Sequence, residues 1–124
     1  MPTSGAAYAR RQRRARAGDK AVDWAANDPD KLVLPHRRAF TNRLVEGVMT
    51  RAHVARPCVS VSAGGEVCFG WPCHDVVVEV DEDGDVMLHE VRRGINIRVI
   101  GHESQRPAVM ITIVAAAACA DSVK

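Results

Sequence analysis

The chain has 124 residues, of which 47% are hydrophobic and 26% are charged. This length and composition predict one domain with enough apolar residues to bury a core. The longest apolar stretch, residues 108–120, is shorter than the roughly 20 residues that span a bilayer, so we expect no transmembrane helix. No apolar segment follows the basic N-terminal residues, which argues against a secretion signal, and four cysteines in that context predict reduced thiols and a cytoplasmic protein.

Charge is distributed unevenly along the chain. Residues 1–20 carry a net charge of +5 and residues 21–124 carry −3, although the total is only +2. Five of the seven residues at positions 10–16 are arginine, whose guanidinium presents five donors in a fork that fits phosphate oxygens. The segment therefore predicts a nucleic-acid contact, with an acidic protein partner or a solvated tail as alternatives. The predicted nucleic-acid-binding residues are Arg10, Arg11, Arg13, Arg14, Arg16 and Lys20, and Trp24 or Tyr8 is available to stack on a base.

The N-terminal segment is predicted to be a helical arm. The Ala and Arg content of residues 6–26 favours a helix, which Gly18 weakens by about 1 kcal/mol relative to Ala. Asn27-Asp28-Pro29-Asp30 is a strong break in the helical pattern. We therefore predict an arginine-rich arm at residues 1–27 and a single domain at residues 28–124.

The arm resembles the arginine-rich peptide of lambdoid phage N antiterminators. The resemblance rests on Arg10-Arg11-Gln12-Arg13-Arg14 and on Trp24-Ala25-Ala26-Asn27. In that family an Arg-dense helix is followed by a stacking Trp and an Ala-Ala-Asn, at a shorter distance than here. The resemblance is compositional, covers residues 10–27 only, and implies a nucleic-acid partner.

A second helix is predicted to begin at Pro35, which suits the first turn of a helix. Apolar residues then recur at three-, four- and one-residue steps, and Pro57 is a plausible end of the pattern. This apolar stripe consists of Phe40, Leu44, Val45, Val48, Met49 and Ala52. Four arginines of this helix, Arg37, Arg38, Arg43 and Arg51, fall mostly outside the stripe. Of these, we consider Arg37 and Arg38 candidates for contact with a protein partner.

The apolar period changes to two after Pro57, which is typical of strands. A turn of three residues at Ala63-Gly64-Gly65 pairs Val61 with Val67 and Val59 with Phe69. This register places the apolar residues of both strands on one face, whereas a shorter loop would set Val61 opposite a cysteine. The sequence therefore predicts a hairpin with the longer loop.

A second hairpin is predicted around Glu82-Asp83-Gly84. With Gly84 in the left-handed conformation, Val80 pairs with Val86 and Val78 with Leu88. The turn is strongly acidic, so we expect it either to repel DNA or to attract the basic surface of a partner. Its candidate protein-binding residues are Asp81, Asp83 and Asp85.

The C-terminal part of the chain completes the predicted sheet. Residues 95–100 and 109–114 are two further strand candidates, and residues 115–120 fit either a continued strand or a short helix. The predicted fold class is α+β: one main helix packed on an antiparallel meander of five or six strands, with the N-terminal arginine-rich helical arm.

Two sets of residues match metal sites in part. Residues 79–90 place carboxylates and a glycine as in an EF-hand calcium loop, but strand-forming valines precede them where a helix is required. The second set consists of Cys58, Cys68, Cys73 and His74, whose side chains could bind zinc. Structural zinc sites usually contain paired Cys-x2–4-Cys motifs, which this set lacks. We predict no metal and no cofactor.

Catalytic motifs are also lacking in the sequence. No serine or cysteine lies in a nucleophile motif, and no glycine loop would cradle a phosphate. The dipeptides His89-Glu90 and His102-Glu103 are acid–base candidates, but such pairs are common by chance. We predict that the protein is not an enzyme.

The body resembles a group of small uncharacterised bacterial and phage proteins of mobile elements. The shared features are the strand Gly64-Gly65-Glu-Val67-Cys-Phe69-Gly-Trp71 and the hairpin residues Val78-Glu79-Val80-Asp-Glu-Asp83-Gly84. The resemblance spans about residues 35–90 and implies a fold but no catalytic residue. It leads us to expect a non-enzymatic phage or mobile-element accessory protein that binds RNA or DNA through its arm. The alternative is a protein-binding inhibitor or antitoxin-like module, of anti-CRISPR or counter-defence type, acting through the helix and the acidic hairpin.

Overall fold

The computed structural model describes residues 21–91 and 95–122, with side chains at all of these positions except 95–96 and 119–122. Most of the predicted arm, including its helix before residue 21, lies outside the described residues. So do the predicted nucleic-acid-binding residues Arg10, Arg11, Arg13, Arg14, Arg16 and Lys20.

Three α-helices occur in the described parts of the chain. They are α1 (Trp24–Asn27), α2 (Pro35–Ala52) and α3 (Arg106–Ser122). Helix α2 begins as predicted, with Pro35 in its first turn, and ends before His53, which has a positive φ of 56°. Its predicted apolar stripe is confirmed, because Phe40, Leu44, Val45 and Val48 are buried and Met49 and Ala52 are partly buried.

Five antiparallel strands form one sheet in the order β1-β2-β3-β4-β5. The strands are β1 (Cys58–Val61), β2 (Val67–Trp71), β3 (Val76–Val80), β4 (Asp85–Glu90) and β5 (Ile95–His102). Each strand pairs with the next one in the chain, so the predicted antiparallel meander is confirmed.

The predicted registers of both hairpins are confirmed. Val61 pairs with Val67 across the first turn, and Val80 pairs with Val86 across the second. Gly65 and Gly84 take positive φ values of 87° and 89°, a conformation that costs side-chain-bearing residues about 1–2 kcal/mol. Period-two alternation and glycine turns therefore determined this part of the fold.

The prediction of a strand at residues 109–114 was wrong, because this segment belongs to α3. Val109, Ile113, Ala116 and Ala117 are buried, at spacings of four, three and one residues, which is a helical period. The run of alanines that follows has the highest helix propensity, and packing against α2 and β5 outweighs the local strand preference of Val and Ile. Two long helices rather than one main helix therefore accompany the sheet, which has five strands.

One face of the sheet and the two long helices enclose the core. Trp71 is only 3% exposed, its ring meets Phe69 edge to face at 5.7 Å, and its indole N–H donates to the carbonyl of Ala55 at 2.6 Å. Ala21 and Val22 are also buried, although the sequence assigned them to the arm. No helix within residues 21–91 and 95–122 combines the length and the apolar character needed to span a bilayer.

Candidate functional site

Helices α2 and α3 approach each other closely at Gly47. A Cβ atom at this position would overlap the sulfur of Met110, so the absence of a side chain allows Met110 to lie across α2. Beside this crossing lies a groove of about 300 Å³. Its lining residues are Arg43, Glu46, Gly47, Thr50, Arg51, Arg106 and Met110.

Three arginines give this groove its positive charge. Arg43 and Arg51 are exposed and Arg106 is half-buried. None of the three forms an ion pair with a carboxylate of the described residues, and Glu46 is the one acid among the lining residues. Their guanidinium groups thus retain donors for an anion from solution. We call Arg43, Arg51 and Arg106 the cationic groove.

A second depression, of about 440 Å³, continues from the cationic groove toward the start of α2. It shares Arg43 and Arg106 with that groove and adds His36, whose side chain is 61% exposed. His36 Nε2 lies 3.0 Å from the carboxylate of Glu103. The depression beside the cationic groove therefore extends along α2 to His36, where the Glu103 carboxylate also lines it.

Arg37, a predicted protein-binding residue, is buried rather than presented to a partner. It is 5% exposed, and its Nε and Nη2 donate to the two carboxylate oxygens of Glu103 at 2.9 and 3.1 Å. The hydrogen bonds from Arg37 lower the pKa of Glu103, although burial opposes the shift, and the same bonds raise the pKa of Arg37. The pair joins the first turn of α2 to the 3₁₀ turn Glu103–Gln105 that precedes α3.

Arg38 and Trp24, predicted for protein and nucleic-acid contact respectively, lie against each other. The Arg38 guanidinium carbon is 5.4 Å from the centroid of a Trp24 ring, which is a cation–π contact. The indole N–H of Trp24 donates to Asn42 Oδ1 at 3.0 Å. Helix α1 is thereby held to α2, and Arg38 occupies one face of the ring on which a base was expected to stack.

Asp28 connects Arg38 to the loop before α2. Its carboxylate accepts hydrogen bonds from the backbone N–H groups of Leu32 and Val33 at 2.8 and 2.9 Å, and from Arg38 Nη2 at 2.8 Å. Burial raises the pKa of Asp28, but the two backbone bonds and the charge of Arg38 outweigh it, so that the pKa is lowered. Arg38 is therefore engaged within the protein.

The acidic hairpin stabilises its own turn. Asp81 Oδ1 accepts from the backbone N–H groups of Asp83 and Asp85, both at 2.9 Å. Asp83 is exposed and Asp85 is half-buried, while the carbonyl of Asp83 lies 3.0 Å from His102 Nε2. Of the three predicted protein-binding carboxylates, Asp83 is therefore the most accessible.

The metal-site candidates are distributed over the hairpins. Residues 79–90 form the β3–β4 hairpin, so strands rather than helices flank the acidic turn. Cys58 and Cys73 are exposed and Cys68 is half-buried, where burial raises the pKa of its thiol. Among the described residues, no three His, Cys, Asp or Glu side chains are grouped closely enough to hold an ion.

Sequence reasoning missed the cationic groove. Arg43 and Arg51 are eight residues apart on α2, a spacing that places them on one helical face, so this part of the signal was present. Arg106 joins them only because residues 106–122 form a helix that packs on α2. With residues 109–114 assigned to a strand, that contact could not be foreseen.

Comparisons with protein-family models, with curated proteins and with solved structures found no match for this chain.

Proposed function

We propose that this protein binds nucleic acid, with its N-terminal arginines and the cationic groove both contacting phosphates. The proposal rests on eight arginines. Five of them are at positions 10–16 and three line the cationic groove. In protein–DNA complexes, half or more of the hydrogen bonds go to the phosphates and sugars, and arginine is a principal donor. The resemblances of the arm and the body support a non-enzymatic accessory protein of a phage or mobile element.

The groove residues suit this role better than the arginines at the start of α2. Arg37 and Arg38 have carboxylate partners at 2.9 and 2.8 Å, so a phosphate would have to replace an existing ion pair. Arg43 and Arg51 have no such partner among the described residues, so a phosphate would add a charge-assisted hydrogen bond. We therefore assign phosphate contacts to the groove and a structural role to Arg37 and Arg38.

A protein-binding inhibitor that acts through α2 and the acidic hairpin is the alternative. Arg37, Arg38 and Asp81 form intramolecular contacts, which favours nucleic acid over this alternative. The exposed carboxylate of Asp83 is the feature on which a basic partner would depend.

Salt dependence provides the test. Affinity of the full chain for single-stranded RNA and for duplex DNA is measured by fluorescence anisotropy over a series of salt concentrations. Each lost phosphate contact should flatten the slope of log K against log salt by about 0.7 to 0.9. We expect this change for Arg13→Ala in the arm and for Arg43→Ala in the groove.

Arg56→Ala is the matched control, because Arg56 is exposed but does not line the groove. It removes the same charge and should leave the slope nearly unaltered. If the full chain binds neither nucleic acid at low salt, the proposal fails. If Arg56→Ala weakens binding as much as Arg43→Ala, affinity follows net charge and the groove has no specific role.

A further inference from the structure

The second depression, beside the cationic groove, is partly apolar. Its volume of about 440 Å³ is within the range of roughly 300–1,000 Å³ that small-molecule sites occupy. His36, Ala39, Phe40 and Arg43 line it from α2, at steps of three, one and three residues, which places them on one face of that helix. Pro107 lines it from α3. Because Ala39 and Pro107 are exposed, the depression presents an apolar surface next to the His36 ring and the Arg43 guanidinium.

The His36 ring is held by its edge. Its Nε2 lies 3.0 Å from Glu103 Oε2, and Glu103 is itself fixed by two hydrogen bonds from Arg37. A hydrogen bond to a ring nitrogen lies near the plane of the ring and does not involve the two faces of the imidazole. Since 61% of the side chain is exposed, part of the ring remains accessible to a flat molecule. Unpaired bases stack on histidine rings and on guanidinium planes.

A phosphate is not the favoured occupant of the end of the depression near His36. The Glu103 carboxylate lines this end, and the hydrogen bonds from Arg37 lower its pKa, so it is ionised at neutral pH. An ionised carboxylate repels a phosphate but not a neutral base. Arg43 and Arg106, by contrast, line both the depression and the cationic groove. One nucleotide strand can therefore place phosphates at these two arginines and a base beside His36.

We propose that the second depression binds an unpaired base of a single-stranded nucleic acid whose phosphates lie in the cationic groove. In a duplex each base is paired and stacked, and extruding one costs free energy, so the site selects single strands. The inference rests on the proposed function, to which it adds this selection. It also transfers to His36 the stacking role predicted for Trp24, because Arg38 lies against one face of the Trp24 ring.

The test compares three DNA ligands of equal length by fluorescence anisotropy with the full chain. They are a single strand, its duplex, and a single strand in which every base is replaced by an abasic residue. The abasic strand retains the phosphates and lacks the bases, so it measures the phosphate contacts alone. We expect the ordinary single strand to bind at least fivefold more tightly than the abasic strand at the same salt concentration, because one stacked base contributes about 5- to 100-fold.

Substitutions of His36 assign the base contact. His36→Ala should weaken binding of the ordinary single strand by about 5- to 100-fold and leave binding of the duplex and of the abasic strand nearly unaltered. The slope of log K against log salt should not change, because no phosphate contact is lost. His36→Phe retains a ring without a charge and should keep most of the affinity for the single strand. Unaltered binding of the abasic strand also shows that the variants are folded.

His53→Asn is the matched control, because His53 is an exposed histidine beyond the other end of α2 and lines neither the depression nor the groove. Asparagine tolerates the left-handed conformation at this position, where φ is 56°. This variant should bind all three ligands like the wild type.

Three results would overturn the inference while phosphate binding stands. They are equal affinity of the wild type for the ordinary and abasic strands, no effect of His36→Ala on the ordinary strand, and a flatter salt slope with equal losses on all three ligands. The last result would make His36 a phosphate contact. If the full chain binds none of the ligands at low salt, the proposed function fails and this inference fails with it.

Discussion

Arg37 and Glu103 are 66 residues apart in the chain and form two parallel hydrogen bonds of 2.9 and 3.1 Å. Both side chains are nearly buried, at 6% and 11% exposure. Glu103 also donates its backbone N–H to the carbonyl of Gly84 at 2.8 Å, so the pair connects α2 with the acidic hairpin as well as with α3. Three elements that are distant in sequence thus meet at one ion pair.

Arg37→Ala should lower the free energy of unfolding by about 3 kcal/mol, because it leaves the Glu103 carboxylate buried without its main partner. Urea unfolding of the full chain measures this loss. Arg43→Ala, which removes an exposed arginine from the same helix, should cost about 0.5 kcal/mol or less.

The double variant Arg37→Ala/Glu103→Ala measures the interaction between these two side chains apart from their contacts with other residues. It should be less destabilised than the two single variants added together, with a coupling of about 1 kcal/mol or more. Purely additive losses would mean that the two side chains stabilise the fold independently.

The folded protein should lose stability in acid through Asp28 and Glu103. The pKa of both carboxyls is lower in the folded state than the ordinary values of about 3.9 for Asp and 4.3 for Glu. Folding therefore favours their ionised forms, and the stabilisation is complete above the unfolded-state pKa values. It is lost as pH falls from about 5 through the folded-state pKa values.

Denaturation curves recorded from pH 7 to pH 3 test this expectation with Asp28→Asn. The variant should be about 1–3 kcal/mol less stable than the wild type at pH 7, because a buried acceptor of three hydrogen bonds is changed. Its deficit should shrink toward pH 3, because Asp28 of the unfolded wild-type chain takes up a proton there and the advantage of its ionised form in the folded state declines. Asp30→Asn, at an exposed position two residues away, serves as the control. A deficit that is independent of pH would contradict the assigned role of the charge.

Gly47→Ala should destabilise the protein although alanine is the better helix former. Helix propensity alone would add about 1 kcal/mol of stability. The new methyl would overlap the Met110 sulfur, and Met110 is buried at the α2–α3 crossing, so overpacking of about 1–3 kcal/mol should outweigh the gain. Thermal unfolding of the single variant and of Gly47→Ala/Met110→Ala measures the effect. If the contact is the cause, the second substitution should cost less in the Gly47→Ala background than in the wild type.

The hairpins and α2 were predictable because their signals are local. Val61 and Val67 are separated by a turn in which Gly65 has a positive φ, and a register shifted by one residue would set Val61 opposite Cys68. Helix α2 shows its apolar stripe within its own 18 residues and has Pro35 at its first turn. In these segments the local conformational preferences of the residues and the tertiary fold favour the same structure.

Residues 109–114 and Arg37 depended on contacts with distant parts of the chain. The strand preference of Val109 and Ile113 yields to a helix because that period buries both residues against α2 and the sheet. Arg37 looked like a surface charge, since the carboxylate that permits its burial is 66 residues away. The cationic groove likewise exists only where α3 meets α2. Periodicity within one segment determines that segment's own conformation and its apolar face, whereas the partner of a buried charge and the lining of a groove arise only when separate segments pack together.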